Sequence, residues 1–407
     1  MKIVLLSTSD ITGGAAIVSV RLVEAFRQLG HEARMLVLDK RGDHDYVHQF
    51  EVNRSRFPFY AERLEIFLNN GFNRSDLFKV STASAGKYVT HHRLIREADV
   101  ILLGYINQGY LSLKEIDRLA SMGKPVIWTM HDQWCMTGIC HLAGSCDRFT
   151  HSCGDCPLLH GRRSSHDLSH KVWKKKERLY TSHPDLRFVV VSSWLAEQAM
   201  RSSLLHDRKV TVIPNAIEIP SLPALNTSSR ENTIVMGAAR LDEDVKNLSL
   251  AINALNHFME AYGESIPGVE ALFFGNLRNP RALDDLKMPH TWRGPVKSNE
   301  VLDIMNRSRV VLSTSHFEML PTTIVEGLAW GCVVVATDSG GQSDIIENGV
   351  NGFLVQPTPE SVAKGIRDSF TLQVSPRELR ESVAMRYSPA TIASQYLKFA
   401  QSLSLIP

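Results

Sequence analysis

The sequence predicts an α/β protein built from two doubly wound domains, each a parallel sheet with helices on both faces. Short apolar runs rich in β-branched residues alternate with longer amphipathic stretches along most of the chain. Continuous apolar strands that alternate with helices are typical of buried parallel sheets. The 407 residues also exceed the length of one ordinary hydrophobic core. A stretch rich in Pro, Ser and Asn interrupts the alternation near the middle, as a linker between domains does.

The first half of the chain carries six predicted strands, and each is a short run of mainly apolar residues. They are Ile3–Leu6, Ala33–Leu38, Val100–Leu103, Pro125–Met130, Arg187–Val191 and Lys209–Ile213. The turn Pro214-Asn215 follows the sixth strand, and a loop rich in Pro and Ser then reaches Ser229. We therefore place the first domain at residues 1–217.

A second alternation of strands and helices follows this linker and predicts a second domain at residues 218–387. Its strands are Thr233–Ala238, Ala271–Phe274, Val310–Ser313 and Val333–Ala336, and its helices are Leu248–Tyr262, Asn299–Asn306 and Thr322–Trp330. The last segment, residues 388–407, contains one more predicted helix at Ser388–Leu403. Ligands of open α/β sheets bind at the carboxyl ends of the strands, so the loops at those ends are the places to look for chemistry.

Charge and hydropathy exclude several classes of function. The net charge of +2 does not favour a nucleic-acid partner. The apolar start of the chain is too short for a signal-peptide core, and no apolar run approaches the roughly 20 residues that span a bilayer. These features predict a cytoplasmic protein. One basic run is either a solvated helix face or a peripheral contact with the anionic inner membrane surface, and it comprises Lys171, Lys174, Lys175, Lys176 and Arg178.

The segment after the strand Val310–Ser313 combines two carboxylates with a predicted helix start. Pro321 suits the first position of a helix, because its missing N–H costs nothing there. The N–H groups at the N-terminus of that helix favour a phosphate. Glu318 before the helix and Glu326 inside it can then accept hydrogen bonds from a sugar and from a ribose. Spacing alone favours the simpler interpretation, a loop residue and a solvated helix residue.

A second loop changes this balance. Arg240 and Lys246 follow the strand Thr233–Ala238 and precede a helix. A guanidinium and an ammonium group there can neutralise a diphosphate and stabilise it as a leaving group. By themselves, two basic residues beside three acidic ones are more often a surface salt-bridge cluster.

Taken together, these loops resemble glycosyltransferase family 4, a retaining group with the GT-B fold. The resemblance rests on Arg240 with Lys246, on Glu318 and Glu326 separated by seven residues, and on the turn 213–216. Ala216 stands in that turn where Gly is commoner. The resemblance implies two Rossmann-like domains that face each other across a cleft. The first domain would lie on the acceptor side, the second would bind the donor, and the last helix would return to the first domain.

The same resemblance implies a role for each matching residue. Arg240 and Lys246 would hold the donor diphosphate, and Glu318 would contact the transferred sugar. Glu326 would bind the nucleotide ribose. Catalytic roles are thereby implied for His131, Arg240, Lys246 and Glu318, and donor-binding roles for Gly13, Gly14, Met319, Leu320, Thr322, Thr323 and Glu326.

The first half adds a glycine pair and a histidine. Gly13 and Gly14 precede a predicted helix, where glycines let a ligand approach the backbone, although a plain tight turn explains them equally well. The pair does not form the G-x-G-x-x-G pattern, which disfavours a nicotinamide cofactor. His131 ends the strand Pro125–Met130, a position that is more often structural. The family resemblance makes it a contact of the transferred sugar.

Five of the six cysteines lie within 22 positions, in an insertion at about residues 135–160. Cys153 and Cys156 form a close ligand pair, and Cys140 and Cys146 can supply two more thiolates for a structural zinc ion. Reduced packing thiols or a disulfide are the alternatives. The insertion and the His-Asp-x-Trp pattern before it are similar to a subset of bacterial colanic-acid and capsular polysaccharide glycosyltransferases.

The resemblance therefore implies a retaining hexosyltransferase of bacterial polysaccharide biosynthesis. The donor would be a UDP- or GDP-sugar, and the acceptor a glycan or a lipid-linked oligosaccharide. No cofactor should be required for catalysis, since Arg240 and Lys246 would neutralise the diphosphate. Two alternatives remain open: a nucleotide-sugar epimerase or hydrolase of the same fold, and a non-catalytic sugar-binding scaffold.

Overall fold

A computed structural model describes residues 1–50, 56–161, 163–228 and 230–404 of the chain. The chain forms two compact units, Met1–Ala216 with Ile392–Pro407, and Ile217–Thr391. Ser229 of the predicted linker and residues 405–407 of the predicted last segment lie outside the described residues. Within the described ranges, no helix is long and apolar enough to cross a bilayer.

The first unit is built on a seven-stranded sheet whose neighbouring strands are all parallel. Its strands are β1 (Lys2–Ser9), β2 (Glu32–Asp39), β3 (Val47–Gln49), β4 (Val100–Leu103), β5 (Val126–Met130), β6 (Arg187–Val190) and β7 (Val210–Val212). The spatial order is β3-β2-β1-β4-β5-β6-β7. Every residue of β4 and β5 is buried, because a parallel sheet covered on both faces has no solvent side.

Within the described residues of 1–216, helices accompany this sheet, and local side-chain caps begin several of them. They are α1 (Gly14–Gln28), α2 (Phe57–Asn69), α3 (Arg93–Glu97), α4 (Leu113–Ala120), α5 (Leu168–Ser182) and α6 (Ser193–Arg201). The side chains of Ser112, Asp167 and Ser192 accept hydrogen bonds from N–H groups of the first turns of α4, α5 and α6. Such caps satisfy N–H groups that have no partner inside the helix.

The second unit repeats the same plan with six parallel strands. Its strands are β8 (Glu231–Arg240), β9 (Glu270–Asn276), β10 (His290–Trp292), β11 (Ser308–Ser313), β12 (Val333–Thr337) and β13 (Gly352–Val355). Its helices are α7 (Leu248–Tyr262), α8 (Ser298–Arg307), α9 (Thr322–Ala329), α10 (Pro359–Thr371) and α11 (Pro376–Tyr387). The spatial order is β10-β9-β8-β11-β12-β13, and the predicted α/β class is confirmed.

The strand order places one crevice in each sheet. The order reverses beside β1 and β4 in the first sheet, and beside β8 and β11 in the second. Loops diverge at such a point, and open α/β sheets bind their ligands there, outside the carboxyl ends of the strands. Arg240 ends β8 and Ser313 ends β11, so both loops with predicted donor residues leave the second sheet at its crevice.

The last helix, α12 (Pro389–Ser404), contributes to the core of the first unit. Ile392, Ala393 and Ala400 are buried there among side chains of β1, β2 and α1. The hydroxyls of Tyr396 and Thr129 lie 2.9 Å apart in a buried hydrogen bond. The final segment therefore belongs to the core of the first unit.

Three strands, β3, β10 and β13, were not predicted. Each has only three or four residues and lies at an edge of its sheet. An edge strand pairs on one side only and is less buried, so it carries no clear apolar pattern. The central strands and α7 follow their predicted ranges closely, because buried strands and amphipathic helices have strong local patterns.

Candidate active site

Two loops at the crevice of the second sheet are joined to each other by hydrogen bonds. One loop follows β8 and the other follows β11. The N–H of His316 donates to the carbonyl of Val245 at 2.8 Å. The buried hydroxyl of Thr314 lies 3.0 Å from the carbonyl oxygen of Lys246 and 3.1 Å from that of Asn247. These bonds fix the positions of the two loops relative to each other, so their side chains are held close together.

Lys246 of the first loop and Glu318 of the second loop contact each other. The Nζ atom of Lys246 lies 2.5 Å from Oε1 of Glu318, and the hydroxyl of Ser315 donates to the same oxygen at 2.9 Å. The two charged side chains are 23% and 20% exposed, so water screens the ion pair only partly. Ser315 was not predicted, although its position three residues before a glutamate is a spacing that often marks a local hydrogen bond.

Arg240 is half-buried and is paired with carboxylates of its own loop. Its guanidinium lies 3.4 Å from Asp242 and 3.5 Å from Glu243. Asp242 and Asp244 form an Asp-x-Asp pair, and Asp242 also accepts the N–H of Arg278 at 2.9 Å. A bound anion therefore has to replace protein carboxylates around Arg240.

A glycine supports the backbone of Glu318. The N–H of Gly341 donates to the carbonyl of Glu318 at 2.7 Å. Gly340 has φ +73°, and a Cβ atom there would lie 2.3 Å from the carbonyl oxygen of Glu318. Only glycine allows this close approach, so the segment after β12 helps to fix the backbone position of Glu318 at the crevice.

Helix α9 presents its N-terminus at the same edge. Thr322 and Thr323 are its first two residues, and no side-chain hydrogen bond caps this end within the described chain. Pro321 is extended with ψ 105°, so the predicted first helical residue is instead the residue before the helix. The first N–H groups of a helix have no partner inside it and carry the positive end of the dipole, which suits a phosphate.

The remaining predicted donor residues of this unit surround α9. The side chains of Met319 and Leu320 are buried, which leaves their backbone atoms as the groups that can meet a ligand. Glu326 is half-buried within α9, one helical turn beyond Thr322. The second unit thus brings Lys246 and Glu318 into contact and places the other donor candidates in adjoining segments.

In the first unit, the predicted glycine pair lies at the start of α1. Gly13 precedes the helix with φ +86°, and Gly14 is its first residue. A Cβ atom at either position would meet nothing within 4 Å. The glycines are therefore not required for close packing within the unit, and Gly13 is required for its positive φ.

His131 follows β5 and is half-buried. Burial lowers the pKa of this histidine to about 4, while the negative charge of Asp132 and a hydrogen bond with Asn215 act in the opposite direction. The imidazole is therefore neutral at neutral pH. It can donate or accept a hydrogen bond but does not contribute a positive charge.

A partly buried chain of hydrogen bonds holds the residue next to His131. Oδ2 of Asp132 lies 2.6 Å from Nδ1 of His141, and Nε2 of His141 lies 3.0 Å from the hydroxyl of Ser81. Oδ1 of Asp132 accepts the N–H of Trp134 at 2.9 Å. The sequence pattern did not link Ser81 or His141 to Asp132, because neither hydrogen bond follows from a local spacing rule.

The structure gives no support to the predicted zinc site. Within the described residues, no group of three or more His, Cys, Asp or Glu side chains is placed to hold a metal ion. Burial raises the pKa of Cys140 to about 12, of Cys153 to about 11 and of Cys156 to about 12. The sulfur of Cys153 accepts the N–H of Gly138. All six cysteines are free thiols in this structure, and the predicted ligation of zinc by Cys140, Cys146, Cys153 and Cys156 is not supported within the described residues.

The basic run on α5 is also divided by the structure. Lys176 is fully buried and donates to the carbonyls of Trp134 and Thr137. Burial lowers the pKa of Lys176 to about 7. The interpretation of Lys176 as part of a solvated or membrane-facing basic run is therefore wrong, whereas Lys171, Lys174, Lys175 and Arg178 are exposed.

Comparison with known families covers nearly the whole chain. The sequence model described as Glycosyltransferase Family 4 matches residues 12–219, which is more than half of the 407 residues. The model described as Glycosyl transferases group 1 matches residues 223–385. The two matches adjoin near the boundary between the two compact units.

Individual relatives agree with these matches. WcaC of Escherichia coli K12, named as a colanic acid biosynthesis glycosyl transferase, is 22% identical over 96% of this chain and 97% of its own. Among solved structures, a glycosyltransferase from Rickettsia africae has a TM-score of 0.62 at 14% identity and covers 100% of this chain and 99% of its own. Anabaena HepE, solved with UDP and glucose, has a TM-score of 0.60 at 18% identity and covers 99% of this chain and 100% of its own.

The structural likenesses show that the two doubly wound units form a GT-B fold. The matches to both family models and to a full-length relative show that the protein is a glycosyltransferase. The chain belongs to glycosyltransferase family 4.

Proposed function

We propose that the protein transfers a sugar from a nucleoside diphosphate sugar to a hydroxyl of a glycan, with retention of anomeric configuration. The observation that carries this proposal is the contact of Lys246 with Glu318 beside the N-terminus of α9. This arrangement combines a cation, a hydrogen-bond acceptor for a sugar hydroxyl and free N–H groups at a crevice where open sheets bind ligands.

The donor diphosphate would be neutralised by Lys246 and Arg240. Both basic side chains now interact with protein carboxylates, and a diphosphate would take over these contacts. Release of Glu318 from Lys246 would leave its carboxylate able to accept a hydroxyl of the transferred sugar. Glu326 would bind the ribose, Met319 and Leu320 would offer backbone groups, and Thr322 and Thr323 would meet the phosphates.

The proposed reaction breaks the bond between the anomeric carbon and the donor phosphate oxygen. The electron pair of that bond stays on the diphosphate, whose charge is stabilised by Lys246, Arg240 and the helix N-terminus. The acceptor oxygen attacks the anomeric carbon on the same face, and its proton passes to the departing phosphate oxygen. No strong protein base is needed, since positioning and charge stabilisation supply most of the rate.

Residues of the first unit would supply further contacts to the donor. We assign the neutral imidazole of His131 to a hydroxyl of the transferred sugar, and the N-terminus of α1 at Gly13 and Gly14 to the donor phosphate. The similarity to WcaC, and to a lipopolysaccharide 1,6-galactosyltransferase of Escherichia coli that is 26% identical over 45% of this chain and 51% of its own, supports a polysaccharide acceptor. UDP and glucose in Anabaena HepE support a UDP-sugar as the donor.

Substitution of the central ion pair tests the proposal. Lys246→Met removes the cation that stabilises the leaving group, and Glu318→Gln removes the carboxylate that binds the sugar. We expect each variant to lower the turnover number by about 10²- to 10³-fold, because such charge stabilisation acts mainly in the transition state. Turnover is measured as nucleoside diphosphate release from UDP- and GDP-sugars with a panel of glycan acceptors.

Lys364→Met is the matched control, since Lys364 is an exposed lysine of α10 in the same unit. It should leave turnover and the thermal midpoint at the wild-type values. The proton coupling constant of the product's anomeric position tests retention by NMR. Near-normal turnover of Lys246→Met, an inverted product, or donor consumption that needs no acceptor would each contradict the proposed activity.

A further inference from the structure

Helix α2 has its apolar and charged faces arranged in the opposite sense to an ordinary surface helix. Its buried side chains are Glu62, which is 0% exposed, Arg63, which is 8% exposed, and the apolar Ile66. Its outward side chains include Phe57 at 74% exposed and Leu64 at 56%. A surface helix normally buries its apolar stripe and exposes its charges. The inversion indicates that the outer face of α2 meets something less polar than water.

Four exposed apolar side chains of α2 form a stripe along the helix. Phe57, Tyr60, Leu64 and Leu68 recur at intervals of three or four residues, so they lie along one side of α2. Phe72 and Phe78 follow the helix and are also exposed. We call these six residues the α2 patch. Large exposed apolar patches on proteins mark sites of interaction.

The carboxylates of this segment form hydrogen bonds and ion pairs with other groups of the protein. Glu62 accepts the N–H groups of Thr82 and Ala83 at 2.7 and 2.9 Å. Glu65 accepts the hydroxyl of Thr82 at 2.6 Å. Asp76 is paired with Lys79 and with His160, each at 2.9 Å. The negative charges near the α2 patch are therefore engaged by protein groups.

The positive charges of the same segment point outward. Arg56 immediately precedes α2 and Arg74 follows it, and both side chains are exposed. They flank an apolar stripe in which four of the six side chains are aromatic. Aromatic and leucine side chains bordered by arginines are typical of helices that lie in the interface of an anionic bilayer.

We propose that the α2 patch docks the protein on the surface of an anionic lipid bilayer. The helix axis would lie parallel to the membrane, with Phe57, Tyr60, Leu64 and Leu68 in the boundary between headgroups and acyl chains. Arg56 and Arg74 would contact lipid phosphates. The exposed lysines of α5 are not required for this contact.

The docked helix is connected to the residues beside His131. The guanidinium of Arg63 donates to the carbonyl of Val80 at 3.1 Å, and the neighbouring Ser81 belongs to the hydrogen-bonded chain that reaches Asp132 through His141. If the proposed function holds, this connection would position a lipid-linked acceptor relative to His131. The docking itself does not depend on the proposed function, because it is measured without substrate.

Sedimentation with lipid vesicles tests the proposal on the full-length protein. The probes are vesicles of phosphatidylcholine alone and vesicles of phosphatidylcholine with phosphatidylglycerol. Wild type should bind the anionic vesicles. Phe57→Ser with Leu64→Ser should weaken this binding by about tenfold, because two large side chains lose their transfer from water. Arg56→Gln with Arg74→Gln should weaken binding to the anionic vesicles and reduce its dependence on salt.

Met200→Ser with Met385→Ser is the matched control, since both methionines are exposed apolar residues outside the α2 patch. This control should bind like wild type, and all variants should keep the wild-type thermal midpoint, since the changed side chains are exposed. Wild-type binding by the α2 variants would overturn the proposal. Loss of binding only in Lys171→Gln with Lys175→Gln would transfer the contact to α5. A dimer of the wild type that dissociates in the α2 variants would assign the patch to a second copy.

Discussion

At the scale of single residues, the site candidates differ in what their surroundings do to their charge. Lys246 is held by Glu318, and Arg240 by Asp242 and Glu243, so protein carboxylates already neutralise both cations. Burial instead depresses the pKa of His131, so this side chain is neutral because it has lost its proton, and no carboxylate has to neutralise it. The two kinds of residue therefore suit different tasks, charge neutralisation and hydrogen bonding.

His131 predicts a pH dependence of stability. Its pKa is about 4 in the folded protein and ordinarily 6.5, so the unfolded chain binds more protons between these values. The stabilisation is fully present above pH 6.5 and is lost as the pH falls through about 4. We expect His131→Gln to flatten this part of the curve. Urea unfolding at a series of pH values measures it, with the exposed His206→Gln as control.

Burial also changes the ionisation of a lysine outside the candidate site. Lys176 is fully buried and donates to two carbonyl groups. It also lies 3.4 Å from the centre of the Trp134 ring. Its charge is hidden within the first unit, although it is indistinguishable in sequence from its exposed neighbours on α5.

At the scale of elements, the crevice of the second sheet depends on contacts between loops. The segments after β8, β11 and β12 are each short, and hydrogen bonds connect them to one another. Hydrogen bonds from Thr314 and His316 join the first two, and Gly341 joins the third to the backbone of Glu318. Displacement of any one segment should therefore disturb the others.

Gly340→Ala tests this dependence. The added Cβ atom would clash with the backbone of Glu318 and would adopt an unfavourable positive φ, at a cost of about 1–3 kcal/mol. We expect the turnover number to fall further than the loss of folding stability alone explains, because Glu318 would shift away from Lys246. Gly349→Ala is the matched control, since Gly349 has φ +77° but nothing within 4 Å of its Cβ position. Equal activities of the two variants would argue against this supporting role.

At the scale of the whole molecule, the chain is not divided into two units in simple sequence order. Residues 392–404 belong to the first unit although the second unit precedes them in the chain. Their apolar side chains complete the core beside β1 and α1. The first unit therefore reaches its full stability only when the end of the chain is in place.

Substitutions of Tyr396 test whether α12 stabilises the core of the first unit. Tyr396→Phe removes only the hydrogen bond with Thr129 and should cost about 1 kcal/mol. Tyr396→Ala also leaves a cavity in the core of the first unit and should cost about 3–5 kcal/mol. Chemical unfolding followed by tryptophan fluorescence compares the two. Similar losses for both variants would show that α12 is not a structural part of that core.

The α/β class, the two series of strands and helices, and the positions of most central elements could be predicted from the amino-acid sequence. These features depend on local hydrophobic periodicity, which each segment carries within itself. The sequence also indicated the loops of Arg240, Lys246 and Glu318, because these residues follow predicted strand ends.

Which groups meet in space depends on the three-dimensional fold. The fold pairs Lys246 with Glu318, buries Lys176 and leaves the apolar side chains along α2 exposed. It also adds the short edge strands β3, β10 and β13. Ion pairing, burial and edge pairing depend on distances between residues remote in the chain, and local patterns do not contain those distances.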